Sequence, residues 1–391
     1  MPWPFTRKSE AALATQTEET STSARARFSF KLFRELTADS GSPNVLLSPS
    51  SVMLCAALVR ELSSGETRQG MSAVLEIAGR DASKVETEIA ALKSALRQRA
   101  DAEVSFANAL WLSKHAHIAP ELAARLRVLY ESELASVDFG HPDAASRINA
   151  WVDTKTKGKI ARIVNKLSPL AALVAVNAVY FKGLWIEPFH KEFTLDAPFT
   201  TATGQTKQFP MMLQSGRYRY YEDESVQLAA LPYKGGVSMH VVLPAVGSNL
   251  RQFQQSLTAG RWESWGANLR REKGTIRLPR FKVDFEAQLN NALTTLGMER
   301  AFDPDRAEFG QIQTDVPPVW IDQVSHRAVA EVNEAGTEAA AVTAFTHMRG
   351  SPMNRKPERS FQMVVNRPFF LAICDDKTNT ILFMGWIGDP Q

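Results

Sequence analysis

The sequence predicts a single large α+β domain, and three observations carry that reading. No repeat period and no interdomain linker interrupts the 391 residues. Helical periodicity comes early, while the later apolar segments have the length and composition of strands. Those strand segments lie far apart in the chain, so the sheets they build must join distant parts of it. Such wiring has high contact order and implies slow folding.

Forty-five Lys and Arg stand against 42 Asp and Glu, a net charge of +3 spread along the chain, which excludes nucleic acid as an expected partner. The longest apolar run, residues 170–176, is stopped by Asn177 and is far short of the roughly 20 residues that cross a membrane. The first 24 residues read as a flexible segment without the apolar core of a secretory leader, which puts the chain in the cytoplasm unless a leader was removed. Cys55 and Cys374 sit in apolar surroundings and read as buried free thiols.

Taken in order, Phe28, Leu32, Phe33 and Leu36 mark an amphipathic helix over residues 25–36. Residues 44–47 are a short strand broken by Ser48 and Pro49, and Ser51 can cap a buried helix ending near Gly65. Residues 84–99 form a mixed-charge helix whose Lys84, Lys93, Arg97 and Arg99 are either a solvated face or a polyanion site. Strands are expected over 104–113, 173–185, 276–285, 320–332, 364–373 and 381–387, and a helix over 142–160. Residues 193–243 alternate like half-buried antiparallel strands, with breaks at Gly204, Gly216, Gly235 and Gly236. A helix after 285 ends in TLGM, with Gly297 as its C-cap.

Residues 331–350, EVNEAGTEAAAVTAFTHMRG, admit two conformations. Propensity favours a helix with Thr337 as N-cap and Glu338 in the first turn. With period two, Thr337, Ala339, Ala341, Thr343 and Phe345 share one face and Glu338, Ala340, Val342, Ala344 and Thr346 the other, small enough for a strand that slides between two others. Gly336 permits a reversal at the entrance, and the polar run with Pro352 and Pro357 argues for an exposed loop.

NVLLSPSSV (44–52), FANALW (106–111), VNAVYFKGLW (176–185), LPRF (278–281), EVNEAGTEAAA (331–341), VNRPFF (365–370) and ILFMGWIGDP (381–390) occur in an order and spacing that resemble the serpin family, of bacterial type. The resemblance covers residues 25–390 and implies a serpin domain over 25–391. That domain has three mainly antiparallel sheets, eight or nine helices, and an exposed reactive-centre loop over about 334–360. It also implies a monomeric serine protease inhibitor, not an enzyme, that needs no cofactor or metal and forms a covalent complex with its target. Ser48, Ser51, Asn177 and His326 then form the shutter under the centre of the large sheet. Trp185, Arg280 and Glu334 form the breach at its top. Glu334, Gly336, Thr337, Glu338, Ala339, Ala340 and Ala341 form the hinge. Arg60 and Glu61 depart from the family, which is mostly apolar there.

Counting from Gly336 puts the cut at Gly350, whereas MRGSPM resembles Arg-containing centres one position earlier, so Arg349 and Gly350 are taken as the reactive bond. Met348, Met353 and Arg355 stay as alternatives. An Arg at the cut implies a trypsin-like target. Two other functions compete. A non-inhibitory serpin, a carrier or chaperone, would carry a bulky or charged hinge residue where this chain has Thr337, Ala339 and Ala341. A serine hydrolase built on Ser48 or Ser51 with His326 lacks nucleophile-elbow glycines. His115 and His117 are too sparse for a metal site.

Overall fold

Ser48 decides where the first buried helix begins. Its hydroxyl accepts from the Ser51 amide, and Pro49, which has no amide hydrogen to leave unpaired, takes the first helical position. The cap is therefore Ser48 and not Ser51, and the helix ends at Leu62, before Gly65. The computed structural model describes residues 23–38, 41–97, 102–316, 318–335 and 360–390, and the side chains of all these except 102–104. Residues 1–22 and 336–359, which hold the hinge from Gly336 to Ala341, Arg349, Gly350 and the alternative cut sites, lie outside the described residues, whereas Glu334 of the hinge is described.

The helices are α1 (23–38), α2 (Pro49–Leu62), α3 (Gly65–Val74), α4 (Ala82–Leu96), α5 (Pro120–Tyr130), α6 (Ala144–Lys155), α7 (Leu250–Ser256), α8 (Ala259–Asn268) and a single turn, α9 (Asn290–Leu293). The first starts two residues before the expected domain boundary at residue 25. α4 opens on an Asp81 side chain that accepts from the Ser83 and Lys84 amides, and it stops at Leu96. Arg60 and Glu61 do not disturb α2, because they pair with each other at 2.8 Å and Arg60 also donates to Ser72 Oγ.

The strands are β1 (Asn44–Leu47), β2 (Ala102–Ser113), β3 (Ala116–Ile118), β4 (Glu133–Val137), β5 (Leu173–Gly183), β6 (Leu195–Thr200), β7 (Thr206–Glu222), β8 (Val226–Tyr233) and β9 (Val237–Pro244). They continue with β10 (Arg270–Pro279), β11 (Phe281–Gln288), β12 (Ile312–Thr314), β13 (Ile321–Val332), β14 (Ser360–Val364), β15 (Phe369–Asp375) and β16 (Ile381–Ile387). Among the described residues they make three sheets. The first runs β11-β13-β5-β2-β4, and the second is a two-stranded antiparallel pair, β12-β3, drawn from distant parts of the chain. The third, nine-stranded, runs β1-β16-β15-β9-β8-β7-β10-β14, with β6 beside β7.

Two apolar segments expected to be single strands are each divided. Residues 276–285 change sheets at Pro279 and Arg280, giving β10 to one sheet and β11 to another. Residues 364–373 are interrupted by Val365 to Pro368 between β14 and β15. Gly216 is no break either: it lies inside β7, opposite Gly274 of β10. Gly274 is needed there because the Phe361 ring, stacked on Tyr220 at 3.7 Å, occupies the space a Cβ would take.

The five-stranded sheet matters most for function. Its centre is the β5–β13 pair, which is parallel, while β11 and β2 flank that pair in antiparallel fashion. β5 is buried along almost its whole length, with α2 packed against one face and α6 serving the core on the other. Cys55 and Cys374 are both free and buried, and burial pushes the Cys55 thiol up to about 12.

Candidate functional site

Strand register creates a polar row in an otherwise apolar sheet. Asn108 of β2 stands opposite Asn177 of β5, which stands opposite His326 of β13. All three are almost wholly buried, as are Ser48 and Ser51 at the start of α2. Asn177 Nδ2 donates to Ser51 Oγ at 2.6 Å and to Asn108 Oδ1, and its Oδ1 accepts from His326 Nδ1 at 2.5 Å. Ser51 Oγ donates to Asn108 Oδ1 at 3.3 Å, and Ser48 Oγ donates to the Leu382 carbonyl at 2.6 Å, tying the cluster to β16. Asn177 is thus the hub, and it spans the one central strand pair whose partners run parallel. Asn108 was not singled out in the sequence, although an Asn inside FANALW is the signal that could have found it.

His326 Nε2 is buried without a partner, and burial drives the imidazole down to about 3. His240 is lowered to about 4 by burial and, secondarily, by Arg219. Both are neutral when folded, whereas an unfolded histidine titrates near ~6.5. Below that pH the unfolded chain binds protons the native state refuses, so stability is complete above ~6.5 and falls as pH drops toward the folded values. Each histidine contributes a slope approaching about 1.4 kcal/mol per pH unit. Urea unfolding between pH 6.5 and 5.0 is expected to show this loss, and His326→Gln, which keeps a donor for Asn177, should reduce its slope by about one proton's worth. An unchanged slope would show that His326 is not held neutral by this site.

At the upper end of β5 a second group fixes the chain just before the loop. Trp185 Nε1 donates to the Asn333 carbonyl at 2.9 Å, the Trp185 amide to Ala335 O at 3.1 Å, and the Phe189 amide to Glu334 O at 2.8 Å. The indole stacks on Tyr233 at 3.9 Å, so the five-stranded sheet is tied to β8 at this point. Gly183 is required below it, since a Cβ would come within 2.8 Å of both the Phe181 and Tyr233 rings. The Glu334 side chain is 4% exposed and is held by Arg280 Nη2 and by the Thr194 hydroxyl at 2.8 Å. Burial raises its carboxyl, but the Arg280 guanidinium, the residue's own backbone amide and the Thr194 hydroxyl together outweigh burial and hold it below the usual range. Arg280 can reach it because the chain turns between sheets at that residue.

The remaining candidates fall elsewhere. Lys93 of α4 donates to the Val128 and Leu129 carbonyls at the end of α5, and Arg97, just past the end of α4, faces Glu131 at 3.4 Å, so both cations have partners within the chain. Arg99 lies outside the described residues. His115 faces Asp315 at 3.6 Å, and among the described residues no group of His, Cys, Asp and Glu could hold a metal. No described helix is long and apolar enough to cross a membrane. The hydrolase alternative fails on geometry: Ser48 and Ser51 are fully buried, and neither hydroxyl hydrogen-bonds to His326.

A parallel central pair, a buried polar row across it and an anchored chain leading out of its last strand match a known architecture. The family model described as Serpin (serine protease inhibitor) covers residues 23–390. The chain belongs to the serpin family. It is 35% identical over 370 residues to an uncharacterized serpin-like protein of Thermococcus kodakarensis, covering 93% of this chain and 84% of the relative. It is 31% identical over 382 residues to the leukocyte elastase inhibitor of Homo sapiens, covering 94% and 99%. The solved structure of tengpin, a thermophilic serpin in its native state, superposes with a TM-score of 0.86 at 26% identity over 95% of this chain and 94% of the other. Human thyroxine-binding globulin complexed with its ligand gives 0.83 at 25% identity, covering 96% and 100%. Serpins are protease inhibitors rather than catalysts, and some are carriers.

Proposed function

We propose that this serpin inhibits a trypsin-like serine protease as a suicide substrate, with Arg349 and Gly350 as the reactive bond. The protease serine attacks the Arg349 carbonyl, the Gly350 amine leaves, and an acyl-enzyme forms. Residues 337–349 then enter the five-stranded sheet between β5 and β13, carrying the protease with them before water completes the reaction.

One observation supports this above the others: the strands that must part are parallel, and the chain leaves the second of them at its upper end. A strand folding back from Ala335 would lie antiparallel to both neighbours, replacing one parallel ladder by two antiparallel ones. Lengths agree as well, since β5 and β13 have 11 and 12 residues and the loop from 337 to 349, extended, measures about 40 Å. In this reading Ser48, Ser51, Asn177 and His326, with Asn108, are the shutter that holds the pair closed. Trp185, Arg280 and Glu334 are the breach at which insertion starts. Gly336, Thr337, Glu338, Ala339, Ala340 and Ala341 complete the hinge, whose small side chains allow entry.

The test is direct. Near-equal amounts of this serpin and trypsin, run on denaturing gels, are expected to give a covalent band at the summed mass with loss of trypsin activity. Clean cleavage near Arg349 with trypsin still active would instead indicate a non-inhibitory member.

A further inference from the structure

Pairing of β7 with β10 concentrates charge that is well spread in the sequence. The register sets Arg219 opposite Arg271 and Arg217 opposite Lys273, with Arg277 further along β10. Opposed residues share a face about 5 Å apart, and alternate residues of one strand about 7 Å apart, so these side chains form a two-row lattice. Arg217, Arg219, Arg271 and Lys273 are exposed and Arg277 is half-buried, whereas Tyr218, Tyr220 and Ile276 of the alternate positions are buried. Leu213, Ser215, Tyr221 and Thr275 on this outer face, then Ser360, Gln362 and Val364 of β14, are uncharged; a carboxylate, Asp223, accepts from the Tyr221 hydroxyl at 2.9 Å at one end, and Lys207 lies at the far end of β7, paired with Asp389. Cations directly opposite each other destabilise a sheet. Arg219, Arg271, Lys273 and Arg277 nevertheless have no ion pair with another described residue.

We propose that this face docks an acidic patch on the protease that attacks the loop. β14 is the first described strand after the loop, and its Ser360 lies opposite Lys273. Ser360 lies ten positions beyond Gly350, a reach of at most about 35 Å, so a protease seated on the loop is held near the lattice. A broad lattice beside the point of attack fits a folded acidic surface better than a linear polyanion. Its effect is on encounter, since complementary charge raises association rates by about 10-fold to 1,000-fold at low salt. The proposal rests on the inhibitor reading above.

The experiment uses anionic and cationic trypsin, which share a specificity pocket but differ in net charge. Wild type, Arg271→Glu/Lys273→Glu and the milder Arg219→Gln/Arg277→Gln are compared by the second-order rate at which intact serpin is consumed, as trapped complex plus cleaved product. For wild type at low salt, anionic trypsin is expected to be at least about tenfold faster than cationic trypsin. The preference should collapse near 0.5 M salt, where the screening length is only about 4 Å, and in the charge-reversed variant, with the neutralised variant between. A preference that is the same in all three proteins overturns the proposal. So does loss of heparin retention in the variants without any change in the trypsin preference, which would assign the face to a polysaccharide. Absence of consumption by either trypsin at high salt, where steering is absent, would instead sink the inhibitor reading and this proposal with it.

Discussion

Nicking the loop between Arg349 and Gly350 is expected to raise the melting temperature of the protein by about 10 °C or more. Insertion of residues 337–349 between β5 and β13 adds roughly a dozen net backbone hydrogen bonds at ~0.5 to 1.5 kcal/mol each, on the order of 10 kcal/mol. A chain of this length loses about 0.8 kcal/mol per degree at its midpoint, from ~2.1 cal/mol/K per residue, so that gain corresponds to about 10 °C. Calorimetry on intact and trypsin-nicked protein measures it. Equal midpoints would mean that the cut strand stays outside, and the trapping mechanism would fall.

The second large effect is expected from Thr337→Arg, which should abolish trapping while leaving loop cleavage intact. In the proposed insertion, residue 337 would be the first of the alternating small residues to reach the parting strands, and the variant would take a guanidinium into a largely apolar sheet. Even about 3 kcal/mol added to the insertion barrier shifts the competition with deacylation by roughly a hundredfold, because each ~1.4 kcal/mol is tenfold in rate. Gels should show the covalent band replaced by cleaved serpin, with the cleavage rate within about twofold of wild type and Thr337→Ser behaving as wild type. A persistent covalent band in the Arg variant would show that trapping does not require entry of this segment.

Much of the fold was legible, for local reasons. The segment Ile381–Ile387 was read to the residue because an apolar run buried on both faces has abrupt ends. β5 was overextended only by Leu184 and Trp185, which pair with β8 instead of continuing the strand. Residues 276–285 were misread as one strand since alternation continues through Arg280 while the sheet does not. α3, with Gly65, Gly70 and few apolar residues, gave too weak a periodic signal, and α5, α7 and α8 were also missed. In the site, Ser48, Ser51, Asn177 and His326 came from motif resemblance, and only register could show that Asn177 is the hub and Asn108 its partner. The lattice on β7 and β10 had no sequence signal at all, because its two rows are joined only by pairing.

Among the described residues β1 has one neighbour in its sheet, β16, and the Asn44 side chain closes the same seam by donating to Asp389 O and accepting from the Gly388 and Asp389 amides. The hydroxyls of Ser48 and Ser50 likewise end on Leu382 and Ile381. On the ribosome, the partners of this early segment emerge 345 residues after it, a delay of roughly 17 to 69 s at ~5–20 residues per second. Until then the front of the nascent chain waits unpaired, and a truncation that removed β16 would leave β1 without the one strand it pairs with among the described residues.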